Sequence, residues 1–237
     1  MKYFLFAITF LFIANRGVIY AFVEGLFNKK VKRRTHDITD KRILTLIQKK
    51  TGLTLSKILL FDTDKVWGMM AGFPPKPYMI ITTDALKRFD KDEMEWIYLH
   101  EAGHYVLWHN LKMALLQIFF LIPSFVILSR VSNFSSGLFF AILLSISFSV
   151  VYFQLARLFE YEASNFALKR ISNPEGIITL AEKAKKWWRQ RGVAEKSLFH
   201  KLFNTWIYDI YVNLAKNAQE EIHRRSGKSS TTSAGIL

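Results

Sequence analysis

The segment His100-Glu101-Ala102-Gly103-His104 (HEAGH) lies near the middle of a chain of 237 residues. On a helix, His100 and His104 leave one face about one turn from each other, so both side chains can reach one cation. In HExxH sites two His bind zinc, and the Glu, here Glu101, takes a proton from the zinc-bound water. The segment therefore predicts a zinc site on a helix. A chance pair of His on an amphipathic helix is the alternative.

A tetrahedral zinc ion with one open position needs three protein ligands. Because the chain contains no Cys, the third ligand must be a His or a carboxylate. On a helix, Glu160 and Glu162 would be about 200° apart, so only one of them can face the metal. His109, five residues after His104, would point away from the ligand face. The downstream candidates are Glu160, Glu162, His200 and His223.

The chain is both basic and apolar, with a formal net charge of +14 and 51% hydrophobic residues. This combination excludes an ordinary soluble globule and a disordered chain. Residues 113–156 carry a single charge, Arg130, and form two apolar stretches, 113–128 and 137–156, joined by the polar linker 129–136. Each stretch approaches the roughly 17–25 residues that cross a bilayer. We therefore expect a transmembrane hairpin, because two buried helices would need a larger surrounding protein.

The hairpin and the zinc site are mutually consistent. Between His104 and Glu160 lie 55 residues, of which two spans would use about 40. A chain that crosses a membrane twice returns to the side it left, so the helix that carries Glu160 can meet the helix that carries His104. A single crossing would leave the two residues on opposite sides.

Residues 3–27 form a further apolar block, which is followed by five basic residues between Lys29 and Arg34. We interpret the block as an uncleaved membrane anchor. The alternative is a signal peptide with its apolar core at 3–14, but a signal peptide has its positive charge before that core. Because basic flanks stay in the cytoplasm, we predict a multi-pass protein of the cell membrane with the HEAGH segment on the cytoplasmic side.

Shorter elements are predicted before the HEAGH segment. The spacing of apolar residues predicts an amphipathic helix over 37–50 that ends at Gly52. The runs KILLF at 57–61 and YMIIT at 78–82 are typical of β-strands, and we expect them to form a hairpin-like pair in a small sheet.

The HEAGH segment itself is predicted to lie on a well-capped helix. Asp90 and Glu93 have the spacing of a capping box, so a helix should begin at Asp90 and run to Asn110. Beyond the hairpin, 157–170 is predicted to be a separate helix. The basic stretch 181–191, with two Trp, is typical of a helix on an anionic membrane surface and does not resemble a nucleic-acid module.

The order of three features resembles the M48 family of membrane zinc metallopeptidases: HEAGH, then the hairpin, then Glu160-Tyr161-Glu162-Ala163-Ser164. That family has HExxH followed by ExxxD, with the first Glu of ExxxD as the third zinc ligand. The resemblance implies the metal ligands His100, His104 and Glu160, and it leaves Glu162 outside the site. It also implies a mostly α integral membrane protein with a small α+β zincin-type (gluzincin) catalytic unit, in which the HExxH helix and an ExxxS helix flank the transmembrane hairpin.

The residues before the motif also resemble the family. This similarity implies that an extended peptide substrate would pair with the strand at 78–82, adding its backbone to a sheet edge. The short chain is more similar to the HtpX-type quality-control proteases than to the Ste24-type CAAX prenyl proteases, which have more membrane helices.

The sequence departs from the family at two places. Ser164 stands where the family usually has Asp, a group that orients a ligating His and raises its basicity. Ser brings no charge, so we expect weaker zinc affinity or lower activity. The family's C-terminal His-Pro motif is also missing, which leaves several candidates for stabilising the oxyanion: Tyr208, Tyr211, His200, His223 and Arg224.

These patterns predict a membrane-embedded zinc endopeptidase that holds one Zn²⁺ and hydrolyses peptide bonds of membrane or misfolded proteins by zinc-activated water. Glu101 would act as general base and then as general acid, and the partners would be a polypeptide substrate and the lipid bilayer, with no nucleic acid. Two alternatives are a regulatory metalloprotease with one dedicated partner and a low-turnover zinc-binding scaffold, for which Ser164 is the motive. The predicted organisation is an anchor at 1–27, a first catalytic part at 28–112, the hairpin at 113–156, a second catalytic part at 157–225 and a disordered tail at 226–237.

Overall fold

The computed structural model describes residues 35–64, 66–72, 76–130, 133–190 and 213–227. Within these ranges the chain is mostly helical, with one small sheet. The strands are β1 (Thr35–Asp37), β2 (Ile58–Phe61), β3 (Gly68–Ala71) and β4 (Tyr78–Thr82). The helices are α1 (Lys41–Thr51), α2 (Thr83–Arg88), α3 (Lys91–Val106), α4 (His109–Arg130), α5 (Phe134–Leu168) and α6 (Glu175–Gln190), followed by α7 at 213–227.

The described residues divide into two compact units. Residues Trp108–Leu158 belong to one unit, which we call the two-helix unit. His36–Leu107 and the residues from Phe159 onward belong to the other, which we call the α+β unit. The predicted anchor at 3–27 and the tail beyond Gly227 lie outside the described residues.

The sheet has the strand order β1-β2-β4-β3. Strand β2 pairs in parallel with β4, so the predicted hairpin between these two runs is wrong. The connection between them contains β3, which pairs antiparallel with β4. A parallel pair needs a crossover connection rather than a tight turn, and β3 lies within that connection. Consequently β4 is an inner strand and β3 is an edge strand.

Helix α1 confirms the predicted amphipathic helix. Asp40 caps its first turn, with the side chain accepting a hydrogen bond from the backbone N–H of Arg42 at 2.8 Å. Gly52 follows its last turn with a φ of 75°, a left-handed conformation that Gly adopts without steric cost. The apolar face contributes Ile47, which is fully buried, to the core of the α+β unit.

Helix α3 is the central element of the α+β unit. Its start is as predicted, because Asp90 accepts a hydrogen bond from the N–H of Glu93 at 3.0 Å and the Glu93 carboxylate accepts one from the N–H of Asp90 at 2.9 Å. The helix ends at Val106, four residues before the predicted end. Trp108 has a φ of 60°, outside the right-handed helical region, so regular helix is interrupted before α4 begins.

The core of the α+β unit surrounds α3. Helices α1 and α6 and strand β3 all contact α3. The fully buried side chains with the largest volumes come from α1, the sheet, α3 and the segment around α6: Ile47, Ile58, Met79, Ile81, Leu99, Ile171 and Ile177. Burying a side chain of this size contributes about 1.5–3 kcal/mol.

A buried polar contact ties α3 to the segment after α5. The Glu95 carboxylate accepts hydrogen bonds from Lys50 Nζ at 2.6 Å and from the backbone N–H of Ser172 at 3.0 Å. Lys50 Nζ also donates to the carbonyl of Arg170 at 2.6 Å. Because Glu95 is five residues before the HEAGH segment, these contacts fix α3 against the segment that follows α5.

The two-helix unit contains the predicted apolar stretches. Two helical segments are long and apolar enough to cross a membrane: His109–Ile127 with a mean hydropathy of 1.8, and Ser135–Leu168 with 2.1. Within the most apolar part of each segment, none and 6% of the residues are buried, and large apolar side chains such as Phe119 are exposed. Helix α5 continues past Arg157 to Leu168, so the separate helix predicted from 157 is the end of this one.

Candidate metal centre

Three side chains from two helices of the α+β unit converge on one point. His100 and His104 extend from α3 and Glu160 extends from α5. The Nε2 atoms of the two His are 3.2 Å apart. The Glu160 carboxylate places Oε2 3.2 Å from His100 Nε2 and Oε1 3.5 Å from His104 Nε2.

These distances fit a zinc ion. Ligand atoms that lie 2.0–2.1 Å from a tetrahedral zinc ion are about 3.3 Å from each other. The three separations between the donor atoms bracket that value. Two imidazole nitrogens and one carboxylate are also the donor set of many catalytic zinc sites, which keep the fourth position for water or substrate. The residues present therefore suit the metal.

Small residues allow the two helices that carry these side chains to approach closely. A Cβ atom added at Gly103 would lie 3.1 Å from the ring of Phe166 and 3.4 Å from the backbone of Ala163. The backbone of α3 thus passes close to α5 where Ala163 is fully buried. Since Glu160 is about one turn from Ala163 on α5, this contact brings its carboxylate within reach of the His pair.

The His100 ring is held between two neighbours. The Trp96 ring, one turn earlier on α3, stacks on it with centroids 4.7 Å apart. On the other nitrogen, Ser164 Oγ lies 3.4 Å from His100 Nδ1, which is at the long end of the hydrogen-bond range. Ser164 is therefore near the position in which the resemblance puts an orienting group, but the contact is weak.

Burial and neighbouring charges shift the pKa values of the groups at the site. Burial lowers the pKa of His100, and the Glu160 carboxylate opposes this shift in part. Burial acts to raise the pKa of Glu160, but hydrogen bonds from His100 and His104 outweigh it and hold the pKa below its usual range. Glu160, on the part of α5 that belongs to the α+β unit, thus stays ionised, as a metal ligand must be.

Glu101 lines the cavity next to His100, His104 and Glu160. Burial raises the pKa of its carboxyl well above the usual range, and the negative charge of Glu160 adds to the rise. A carboxyl whose pKa is raised toward neutrality can both accept and deliver a proton. A cation held by the neighbouring ligands would lower that pKa again.

Strand β3 packs directly against α3 at Glu101. A Cβ atom added at Gly68 would lie 3.2 Å from Glu101 Cγ and 3.1 Å from Ile81. Gly68 therefore leaves room for the Glu101 side chain beside the edge strand. The inner strand β4 has β2 on one side and β3 on the other, so the expectation that a substrate pairs with 78–82 is wrong.

A cavity of about 740 Å³ opens beside the three converging side chains. Its walls come from β3 and the preceding residues, α2, α3 and α6. The lining side chains include the apolar residues Val66, Trp67, Ala85, Phe89, Ile97, Leu180 and Ala184. This volume is in the range of pockets that bind small molecules or substrate side chains.

The other candidate residues lie elsewhere. Glu162 and His109 are not part of the converging group, although both make other contacts. His223 is exposed, and Arg224 forms an ion pair with Glu221 at 2.7 Å, which gives it a structural role on α7. The remaining candidates for stabilising the oxyanion, Tyr208, Tyr211 and His200, lie outside the described residues.

Sequence reasoning missed three contributors to the site. Trp96 could have been found, since it is four residues before His100 and shares its helix face. Gly68 could not, because the GMMA run of β3 lacks the β-branched residues that mark a strand. The lining residues of α6, such as Lys183, are brought to the site only by tertiary packing.

A HExxH helix, a second helix with a third potential ligand and a cavity beside them define a site of the metallopeptidase class. Residues 32–205, well over half of the chain, match the model of peptidase family M48. The chain belongs to peptidase family M48, which confirms the expectation from its motifs. The members of this family are zinc metalloproteases.

The fold is similar to that of a known protein. The crystal structure of S. mikatae Ste24p matches with a TM-score of 0.51 and 16% sequence identity, over 68% of this chain and 46% of that one. At this identity the likeness shows the fold, a mostly helical structure with a small sheet. The chain spans about half the length of that protein. No curated protein matches the sequence.

Proposed function

We propose that this member of family M48 is a membrane-embedded zinc endopeptidase whose metal ion is held by His100, His104 and Glu160. The observation that carries the proposal is the convergence of their donor atoms at 3.2, 3.2 and 3.5 Å. Hydrogen bonding alone does not explain why two imidazole Nε2 atoms face each other beside a carboxylate. A divalent cation among the three lone pairs accounts for all three approaches.

The side chains divide the chemistry between them. A bound zinc ion would supply Lewis acidity, lowering the pKa of water and polarising the peptide carbonyl. Glu101 takes the proton from the attacking water and delivers it to the amine that leaves. Its position on the same helix as His100 and beside the cavity supports this role, as does its raised pKa. Ser164 and Trp96 hold the His100 ring in the orientation that ligation requires.

The edge strand β3 is where we expect the substrate backbone to bind. Its inner side is paired with β4, and Gly68 at its start lies against Glu101. An extended peptide that pairs with the outer side would place a peptide bond near Glu101. In this proposal, β3 replaces the strand at 78–82 as the expected pairing partner of the substrate.

We also propose that the two apolar stretches, 113–128 and 137–156, cross the cell membrane as a hairpin. The lengths of the two apolar helical segments, their mean hydropathies of 1.8 and 2.1 and their exposed apolar side chains support insertion, since an aqueous surface of this kind would aggregate. The basic residues after the first apolar block favour a catalytic site on the cytoplasmic side. Cysteine accessibility in intact cells tests this, because the chain has no Cys and single Cys residues report without background.

The central test compares wild-type protein with Glu101→Gln in neutral detergent, measuring zinc content and cleavage of casein. We expect about one zinc per chain in both proteins and cleavage by the wild type only, because the amide cannot accept the proton. Absence of zinc from both proteins would refute the proposed metal site.

The ligand assignment has a matched control two residues away. Glu160→Ala should remove zinc, since it deletes one of three ligands, whereas Glu162→Ala should retain it. The reverse result would overturn the choice of Glu160. Both variants should be compared by thermal unfolding in the presence of chelator, so that loss of metal is distinguished from loss of fold.

The two alternatives predict different outcomes of the same measurements. A low-turnover scaffold, favoured by the long contact between Ser164 and His100, would bind zinc without cleaving casein in the wild type. A regulatory protease with one partner would also spare casein, but it would show self-cleavage or cleavage of that partner that Glu101→Gln abolishes.

A further inference from the structure

The cavity beside the candidate metal centre is lined by charges of opposite sign in different places. Its described lining carboxylates are Glu101 and Glu160, both at the metal end. The wall formed by α2 and α6 carries Arg88, Lys183 and Lys186 and no carboxylate. We call these three residues the basic wall.

Lys183 indicates how far the basic wall lies from the proposed metal ligands. Lys183 Nζ contacts the Glu93 carboxylate at 2.6 Å and the carbonyl of Arg88 at 3.3 Å. Glu93 is seven residues before His100 on α3, a distance of about 10 Å along the helix axis at 1.5 Å per residue. An extended peptide covers this distance in about three residues.

Two of the three cationic residues of the wall are already paired. Arg88 pairs with Asp84 at 2.7 Å and Lys183 pairs with Glu93, but neither carboxylate lines the cavity. Lys186, which is exposed, has no carboxylate within salt-bridge distance among the residues that the structure describes. It is the cation of the wall that is best able to accept a new partner.

The cavity also has an apolar surface. Phe89, Ile97 and Leu180 contribute to it. A substrate segment that fills the cavity would therefore place an apolar side chain against this surface and a further side chain at the basic wall.

We propose that the basic wall selects substrates with an acidic residue within about four positions of the scissile bond, next to a bulky apolar residue. This selection rests on the proposed endopeptidase function and adds a substrate class to it. Lys186 provides most of the discrimination, because Arg88 and Lys183 already have carboxylate partners.

The test uses full-length protein in neutral detergent and a set of quenched peptides with a Phe-containing core. Asp, Ala or Lys is placed in turn at each position within four residues of the cleaved bond, and kcat/KM is measured. We expect Asp to be preferred over Lys at one of these positions by about two- to fivefold, the range of a partly exposed ion pair. The preference should fall at high salt.

Lys186→Glu should reverse the preference at that same position. Lys185→Glu is the matched control, because Lys185 is the adjacent residue on α6 but does not line the cavity, and it should leave the preference unchanged. Equal cleavage of the Asp and Lys peptides at every position would overturn the proposed selection but not the endopeptidase function. The same conclusion would follow if Lys186→Glu and Lys185→Glu changed the preference equally. Failure of the wild type to cleave any peptide, with zinc bound, would overturn the endopeptidase proposal itself.

Discussion

Replacing Ser164 by Asp should tighten zinc binding at the candidate metal centre. Ser164 Oγ lies 3.4 Å from His100 Nδ1. In Asp, the Cγ atom occupies the position of this oxygen, and a carboxylate that accepts a 2.8 Å hydrogen bond has its Cγ about 3.6 Å from the donor nitrogen. The backbone of α5 is therefore placed so that a carboxylate, but not a hydroxyl, reaches the ring at normal distance.

The expected gain follows from the general effect of such partners. Removing the group that orients a ligating His costs about 10- to 100-fold in metal affinity, so adding it should gain a similar factor, or about 1.4–2.8 kcal/mol. In the metal-free protein, the same substitution should destabilise the fold. Ser164 is buried, and a new buried carboxylate without a cation nearby costs several kcal/mol. The variant should therefore unfold at a lower temperature than the wild type in chelator and gain more from added zinc.

Zinc affinity is measured by competition with a chromogenic chelator on detergent-purified protein. Ser164→Asn is the control, because it has the shape of Asp without the charge and should stay within a few-fold of the wild type. If Ser164→Asp binds zinc no more tightly than Ser164→Asn while its helical content is retained, the reasoning about this contact is refuted.

Three further predictions concern stability. Gly176→Ala would bring a Cβ to 2.7 Å from Asp92 Cβ, so we expect a loss of about 1–3 kcal/mol, measured by thermal unfolding, and an unchanged melting temperature would contradict the close packing of α6 on α3. Glu95→Ala leaves the Lys50 ammonium without its carboxylate and should cost about 3–5 kcal/mol in denaturant unfolding, whereas a cost below about 1 kcal/mol would show that the pair does not hold α3. Hydrogen bonds, chiefly from Arg224, lower the pKa of Glu221 to about 2. The wild type should therefore be more stable than Glu221→Gln above pH 4.5 and lose that advantage as the pH falls toward 2. A difference in stability that does not depend on pH would disprove this.

Local patterns accounted for the elements that carry most of the site. The capping box of Asp90 and Glu93 predicted the start of α3, because it depends only on residues three apart. The spacing of His100 and His104 predicted that their rings would meet, for the same reason. The predicted end of this helix was wrong, because no residue pattern indicated the positive φ of Trp108.

The sheet was predicted only in part. The runs that became β2 and β4 are rich in Ile and Leu, and their β-character was recognisable. Their parallel pairing was not, since strand order depends on contacts between distant residues. Strand β3 was missed, and with it the edge strand beside Glu101.

The sequence by itself determined which residues could bind a metal, because helical periodicity fixes the face shared by His100 and His104 and composition fixes the apolar segments between them and Glu160. Only the tertiary structure decided that Glu160 reaches the His pair. That approach depends on Gly103 and Ala163 letting two helices pass closely, a contact between residues far apart in the chain. Local propensity acts over a few residues, whereas this geometry results from the packing of the whole α+β unit.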